Sequence, residues 1–263
     1  MLTGGNEGAT ARHVAFGRAA QNGILALLAT EQGLTGPKRA FEDARGFCLT
    51  LCAEPRWEFL QSFDRYFLPV VAFKPYPCAR QLHAGVEALL KLMAQYSIST
   101  DAIREIVLAV PTQNVSMIDR PATPTLRAAT LGSGQYVMAV TALRGKIDLA
   151  SFEEAYLQSE QVRQLMAKVK VSASAELERY FPKYWPGRVT VKLAGGHEHM
   201  EQIIAPKGES ENPMTRQDVE EKFLGLAAPL LGEGKSRVVI DEVQALDARN
   251  SLAPTLAALA TRS

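Results

Sequence analysis

Prolines at 69, 75 and 77 interrupt the chain at the end of its first quarter and limit what can form on either side. Proline supplies no backbone donor and pushes the residue before it out of the helical region. Lys74-Pro-Tyr-Pro-Cys78 therefore reads as an extended loop, neither helix nor central strand. Upstream of it, Val14, Ala19, Ile24, Leu27 and Leu28 recur at spacings near three and four, the period of a one-sided helix. Gly33 stops that helix and Gly36-Pro37 opens the next segment. Phe41, Phe47 and Leu51, then Trp57, Phe59, Leu60 and Phe63, continue the helical pattern.

Downstream the periodicity changes. A helix is predicted over 81–95, with Leu82, Val86, Leu89, Leu90 and Met93 on one face. Ile106, Leu108 and Val110 alternate with their neighbours as a strand does and end at Pro111. Helices are predicted over 134–143 and, strongly charged, over 152–166, with a short strand over 168–172. Val189, Val191 and Leu193 run through Gly195-Gly196 to Met200 and Ile204, a hairpin whose glycines supply the positive φ of the turn. Pro206-Lys-Gly-Glu and Asn212-Pro213 form a loop, and helices over 215–230 and 238–260 close the chain. The expected fold class is α+β: a partial all-helical domain built from residues 1–68 and 216–263, with a smaller α+β domain, 69–215, inserted between its halves.

The 263 residues suffice to bury roughly 70–75% of the unfolded surface. With a net charge of +1 and no basic stripe interleaved with aromatics, nucleic acid is excluded as an expected partner. Cys48, Cys52 and Cys78 are sparse and odd in number, which suits a reducing compartment better than a disulfide scaffold. The first eight residues carry no secretory pattern, and no apolar run approaches the ~20 residues of a membrane span. A cytoplasmic protein is expected.

Several residues carry candidate chemistry. Lys74, in a rigid loop just before a helix, makes an anion site, against the alternative of a solvated loop lysine. His83, about two turns on, titrates near neutrality and suits proton transfer; alone it reads equally as a capping or core histidine. Arg80 has the fork to clamp a carboxylate, or to make a surface ion pair. Thr10 and Arg12 suit planar carboxylate recognition, or else an N-cap beside an exposed arginine. Tyr136, after Ser133-Gly-Gln, offers a hydroxyl at a helix start. His197-Glu-His199 falls at the hairpin tip without an evident third ligand and reads as turn residues, so no metal site is expected.

In order along almost the whole chain, four groups of motifs resemble the MmgE/PrpD family. They are Gly8-Ala-Thr-Ala-Arg-His-Val with Gly17-Arg-Ala-Ala and Gly33-Leu-Thr-Gly-Pro37; Phe73-Lys-Pro-Tyr-Pro-Cys78 with Arg80 and His83; Ser133-Gly-Gln-Tyr136 with Ala139, Ala142, Leu143 and Gly145; and Pro206-Lys-Gly, Asn212-Pro-Met and Lys222-Phe. The resemblance implies a helical domain plus a smaller α+β domain, and a homodimer. It implies a cofactor-free lyase acting on a small di- or tricarboxylate, with Lys74, His83 and Tyr136 as catalytic residues and Thr10, Arg12 and Arg80 binding substrate.

Arg12 stands where a lysine is common in the family and Ala15 where a histidine is common. The pattern Ala9-Thr10-x-Arg12-x-Val14 resembles the branch that dehydrates 2-methylcitrate, which makes β-elimination of water the expected reaction and decarboxylation of cis-aconitate or epimerisation the alternatives. The resemblance also implies a missing upstream stretch that carries an aspartate, a threonine and histidines of the active site. A non-catalytic remnant that only dimerises or binds ligand is therefore the competing expectation.

Overall fold

A computed structural model describes residues 11–61, 64, 66, 68–121 and 126–260, with backbone alone for 11–13, 60, 61 and 69. Thr10, Phe63 and the side chains of Arg12 and Leu60 lie outside the described residues.

At the centre is a four-stranded mixed sheet of order β2-β1-β3-β4: β1 (Ile103–Val110), β2 (Val169–Ala173), β3 (Gly187–Leu193) and β4 (Glu198–Ile203). β1 and β2 run parallel, pairing Ile106 with Val169 through Val110 with Ala173. β3 lies antiparallel on the other side of β1, Leu108 opposite Val189, and turns into β4 through Gly196 at φ 84°. The strand, the short strand and the hairpin expected from alternation are all present. β1 is buried almost continuously towards its end because helices cover the sheet and neighbouring strands flank it.

Two of those helices set the architecture. α2 (His83–Tyr96) crosses β3 and β4, burying Leu82, Val86, Leu89 and Leu92, and α4 (Gly134–Arg144) packs against α2. Ahead of α4 in the chain comes the short α3 (Thr112–Ile118), which packs on β2; after it, α5 (Glu160–Met166) packs on α4. Ser133 caps α4 by accepting from the Tyr136 amide at 3.1 Å, and Gly145 at φ 63° ends it. At Gly187 an added Cβ would meet Ala84 Cβ and Gly85 N at 3.1 Å. The absence of a side chain at Gly187 lets the start of α2 lie close to the start of β3 without displacing Ala84.

The helical ends are looser. α1 (Ala11–Glu31) is a continuous helix, as expected, with Val14, Phe16, Ile24, Leu25 and Leu27 more than half exposed. Among the described residues the helical pattern over 41–63 yields the short turns Phe47–Leu51 and Glu58–Gln61, and Phe41, Phe47 and Phe59 remain exposed. Short helices hold mainly through a buried face, and these residues find none. α6 (Arg216–Leu231) and α7 (Glu233–Gln244) pair around an apolar groove of about 360 Å³, walled by Val219, Phe223, Val239 and Ile240. α8 (Ala253–Leu259) packs on α7.

Two expected helices are broken. The charged segment divides into a 3-10 turn Leu149–Phe152, a turn Glu154–Leu157 and then α5, because Asp148 and Ser159 each accept a backbone N–H and start a new turn. The terminal helix ends at Gln244 and restarts at Ala253 with Pro254 in its first turn. No helix among the described residues is long and apolar enough to cross a membrane. The fold is α+β, with helices at both ends of the chain and the sheet between them.

Candidate active site

The proline loop is held from three sides. Phe73 N donates to Gly208 O at 2.8 Å, Lys222 Nζ donates to Lys74 O at 2.7 Å, and Ala79 N donates to Leu131 O at 2.7 Å. Gly208 sits at φ 94°, and a Cβ there would lie 2.0 Å from Phe73 O, so this contact admits glycine alone. Gly208 N in turn donates to Asn212 O at 2.8 Å, and Lys207 N to Glu87 Oε2 at 2.8 Å. The motifs Pro206-Lys-Gly and Asn212-Pro thus brace the loop that carries Lys74.

Within that loop two candidate side chains converge. Lys74 Nζ donates to the Cys78 carbonyl oxygen at 3.2 Å, and His83 Nε2 lies 3.4 Å from the same oxygen. Tyr76 packs edge-on to the imidazole at 5.4 Å between centroids. His83 is 3% exposed, and that burial pulls its pKa from 6.5 to about 4. The hydrogen bond to Cys78 opposes the fall, and the cations Lys74 and Arg80 deepen it. The ring is therefore neutral at neutral pH. Burial also pushes the Cys78 thiol up to about 12, against the pull of Lys74, so this cysteine is no nucleophile.

The structure gives the other candidates different neighbours. Arg80 grips Glu209 bidentately, Nε to Oε1 at 2.9 Å and a terminal nitrogen to Oε2, and lies 5.5 Å over the Trp185 ring. Glu209 is buried, and its partner stands 129 residues away in the chain, so no local pattern announces it. Tyr136 is fully buried in the core, its hydroxyl donating to Ser151 O at 2.7 Å beside Phe152. Burial raises its pKa to about 12, Arg144 opposing and Tyr156 adding. These groups are not those around Lys74 and His83. Thr10 and the Arg12 side chain lie outside the described residues.

His199 stacks on Tyr96 with centroids 3.8 Å apart, while His197 is exposed at the hairpin turn. Among the described residues no group of three or more His, Cys, Asp or Glu side chains is placed to hold a metal ion.

The chain belongs to the MmgE/PrpD family: residues 76–248 match its C-terminal domain, a span that takes in His83, the sheet and the bracing loop. Among its relatives are the cis-aconitate decarboxylases of Homo sapiens, 31% identical over 82% of this chain and 46% of the relative, and of Mus musculus, 27% identical over 88% and 49%. That of Aspergillus terreus (strain NIH 2624 / FGSC A1156) is 27% identical over 95% of this chain and 54% of its own length. The chain spans about half the length of these curated relatives.

Proposed function

We propose that this chain carries the carboxylate-binding half of a lyase that acts on small di- or tricarboxylates. The observation that carries the reading is the convergence of a lysine ammonium and a neutral, buried histidine on one carbonyl, in a loop braced by Pro206-Lys-Gly and Asn212-Pro. The names of the relatives favour decarboxylation of cis-aconitate as the reaction. Dehydration of 2-methylcitrate is the second reading, favoured by the Ala9-Thr10-x-Arg12 pattern.

In either reaction negative charge builds on an enolate-like carboxylate. A fixed cation such as Lys74 opposes that charge without reorganising at the moment of reaction. His83, neutral because it is buried, accepts or passes on a proton rather than acting as a standing imidazolium. Arg80, already bound to Glu209, holds the turn before His83 in place, and Tyr136 does the same for the start of α4. Thr10 and Arg12 add substrate contacts, as the family resemblance implies. Residues 1–68 and 216–263 are assigned to one helical domain, with the α+β domain, 69–215, inserted between them. The protein works in the cytoplasm as a homodimer, which covers part of the apolar surface of α1 and the α6–α7 groove.

The test is turnover by the complete natural polypeptide, with cis-aconitate and 2-methylcitrate supplied separately and products read by proton NMR. Lys74→Ala and His83→Gln are each expected to lower kcat/KM by about 10²–10⁴-fold with the fold intact. Full activity in both variants would remove the site from this loop.

A further inference from the structure

A small di- or tricarboxylate brings more than one negative charge to the Lys74 loop, and most cations near that loop are already committed. Arg80 grips the buried carboxylate of Glu209. Lys207 is paired with Asp218. His83 is neutral because it is buried. Lys74 by itself would leave a second carboxylate of the ligand without a counter-charge. Lys222 is another ammonium that reaches the loop.

α6 delivers it there. Lys222 lies two turns into that helix, and its Nζ donates to Lys74 O at 2.7 Å. Lys74 Nζ, at the far end of the same residue, donates to Cys78 O at 3.2 Å. The two ammonium groups are therefore separated by at most one lysine side chain and one hydrogen bond. Two carboxylates of a short-chain acid, each reaching its ammonium through a hydrogen bond, can span that gap. Both lysines are exposed, so a ligand meets them from solvent without any opening of the core.

Lys222 is ordered at the loop without being neutralised. Fixing an exposed lysine costs side-chain entropy, and a nearby carboxylate is its usual partner. The acids within a turn of it on α6 are engaged elsewhere: Asp218 by Lys207 and Thr215, Glu220 by Arg216 and Gln244, and Glu221 by Gln217. Among the described residues neither Lys74 nor Lys222 is ion-paired with a carboxylate, and each ammonium bonds one neutral carbonyl. An ammonium has three donors, so each keeps two for a ligand.

We propose that Lys222 is a second carboxylate-binding residue of the Lys74–His83 site, gripping one carboxylate of the acid while Lys74 holds another. A tricarboxylate held in this way keeps its third carboxylate clear of both ammonium groups. Decarboxylation needs that arrangement, because a cation fixed on the departing carboxylate would stabilise the charge that has to leave it. The inference rests on the site reading above and deepens it by assigning the ligand's second carboxylate.

The test is calorimetric titration of tricarballylate, the saturated and unreactive counterpart of cis-aconitate, into the complete natural polypeptide at several salt concentrations. Lys222→Met is expected to weaken binding by about tenfold or more, and to make it less sensitive to added salt. Lys222→Arg keeps the charge and should stay within about threefold of the wild type. The unliganded melting temperature of Lys222→Met should stay within a few degrees of the wild type, because the side chain is exposed. Unchanged affinity in Lys222→Met overturns this inference and leaves the site standing. Weaker binding with an unchanged salt dependence, or equal losses in the Met and Arg variants, also overturns it and makes Lys222 a brace for the Lys74 loop alone. Failure of Lys74→Ala to weaken tricarballylate, or no binding by the wild type, overturns the site reading and this inference with it.

Discussion

The Arg80–Glu209 pair makes the sharpest prediction about how the site is held, because its two members are buried unequally. The Glu209 side chain is 8% exposed and the Arg80 side chain 36%. Arg80→Met leaves a carboxylate below the surface with no counter-charge, and breaking a buried pair from that side costs about 3–5 kcal/mol. Glu209→Gln leaves an arginine that reaches water and still lies over Trp185, so the cost falls to about 1–2 kcal/mol. For a chain of this size the first loss lowers the melting temperature by roughly 10 °C and the second by a few degrees. Urea unfolding followed by Trp185 fluorescence, on both single variants and the double variant, measures each cost and the coupling between them. A coupling of about 1–3 kcal/mol is expected, with the double variant little worse than Arg80→Met. Equal losses for the two single variants, or coupling below about 0.5 kcal/mol, would refute the reasoning that a buried carboxylate depends on this arginine.

Two further predictions concern the same loop. His83 has a folded pKa of about 4, below its unfolded 6.5, so on acidification the unfolded chain takes up the proton first. Stability is complete above about pH 6.5 and is lost as pH falls towards 4, by up to roughly 3 kcal/mol. The difference in stability between wild type and His83→Gln, followed by denaturant titration at each pH, should shrink across that window; a constant difference would place the histidine in water. Gly208→Ala puts a Cβ 2.0 Å from Phe73 O at a φ of 94°, and is expected to cost at least about 2–4 kcal/mol and to loosen the Lys74 loop. Thermal melting and amide exchange at Phe73 check it.

What could be read from sequence follows from how local each signal is. α2 and the β3–β4 hairpin were legible because Val86, Leu89 and Met93, or Val189, Val191 and Leu193, repeat at one period and are buried accordingly. The apolar pattern of Phe41, Phe47 and Phe59 has the right spacing and no surface to bury against, so it does not become a long helix. Lys74 and His83 lie within one continuous motif and come together as a loop and the helix that follows it. Arg80 carried the right chemistry, but its acceptor, Glu209, comes from a loop far along the chain, and such a pairing has no periodicity. The buried hydroxyl of Tyr136 depends on packing in three dimensions, which no spacing records.

The most direct measurement is a crystal structure of the chain with cis-aconitate bound. The account predicts a ligand carboxylate about 3 Å from Lys74 Nζ, beside the His83 ring and within the loop braced by Gly208. Ligand bound elsewhere, with Lys74 still directed only at the Cys78 carbonyl, would contradict it.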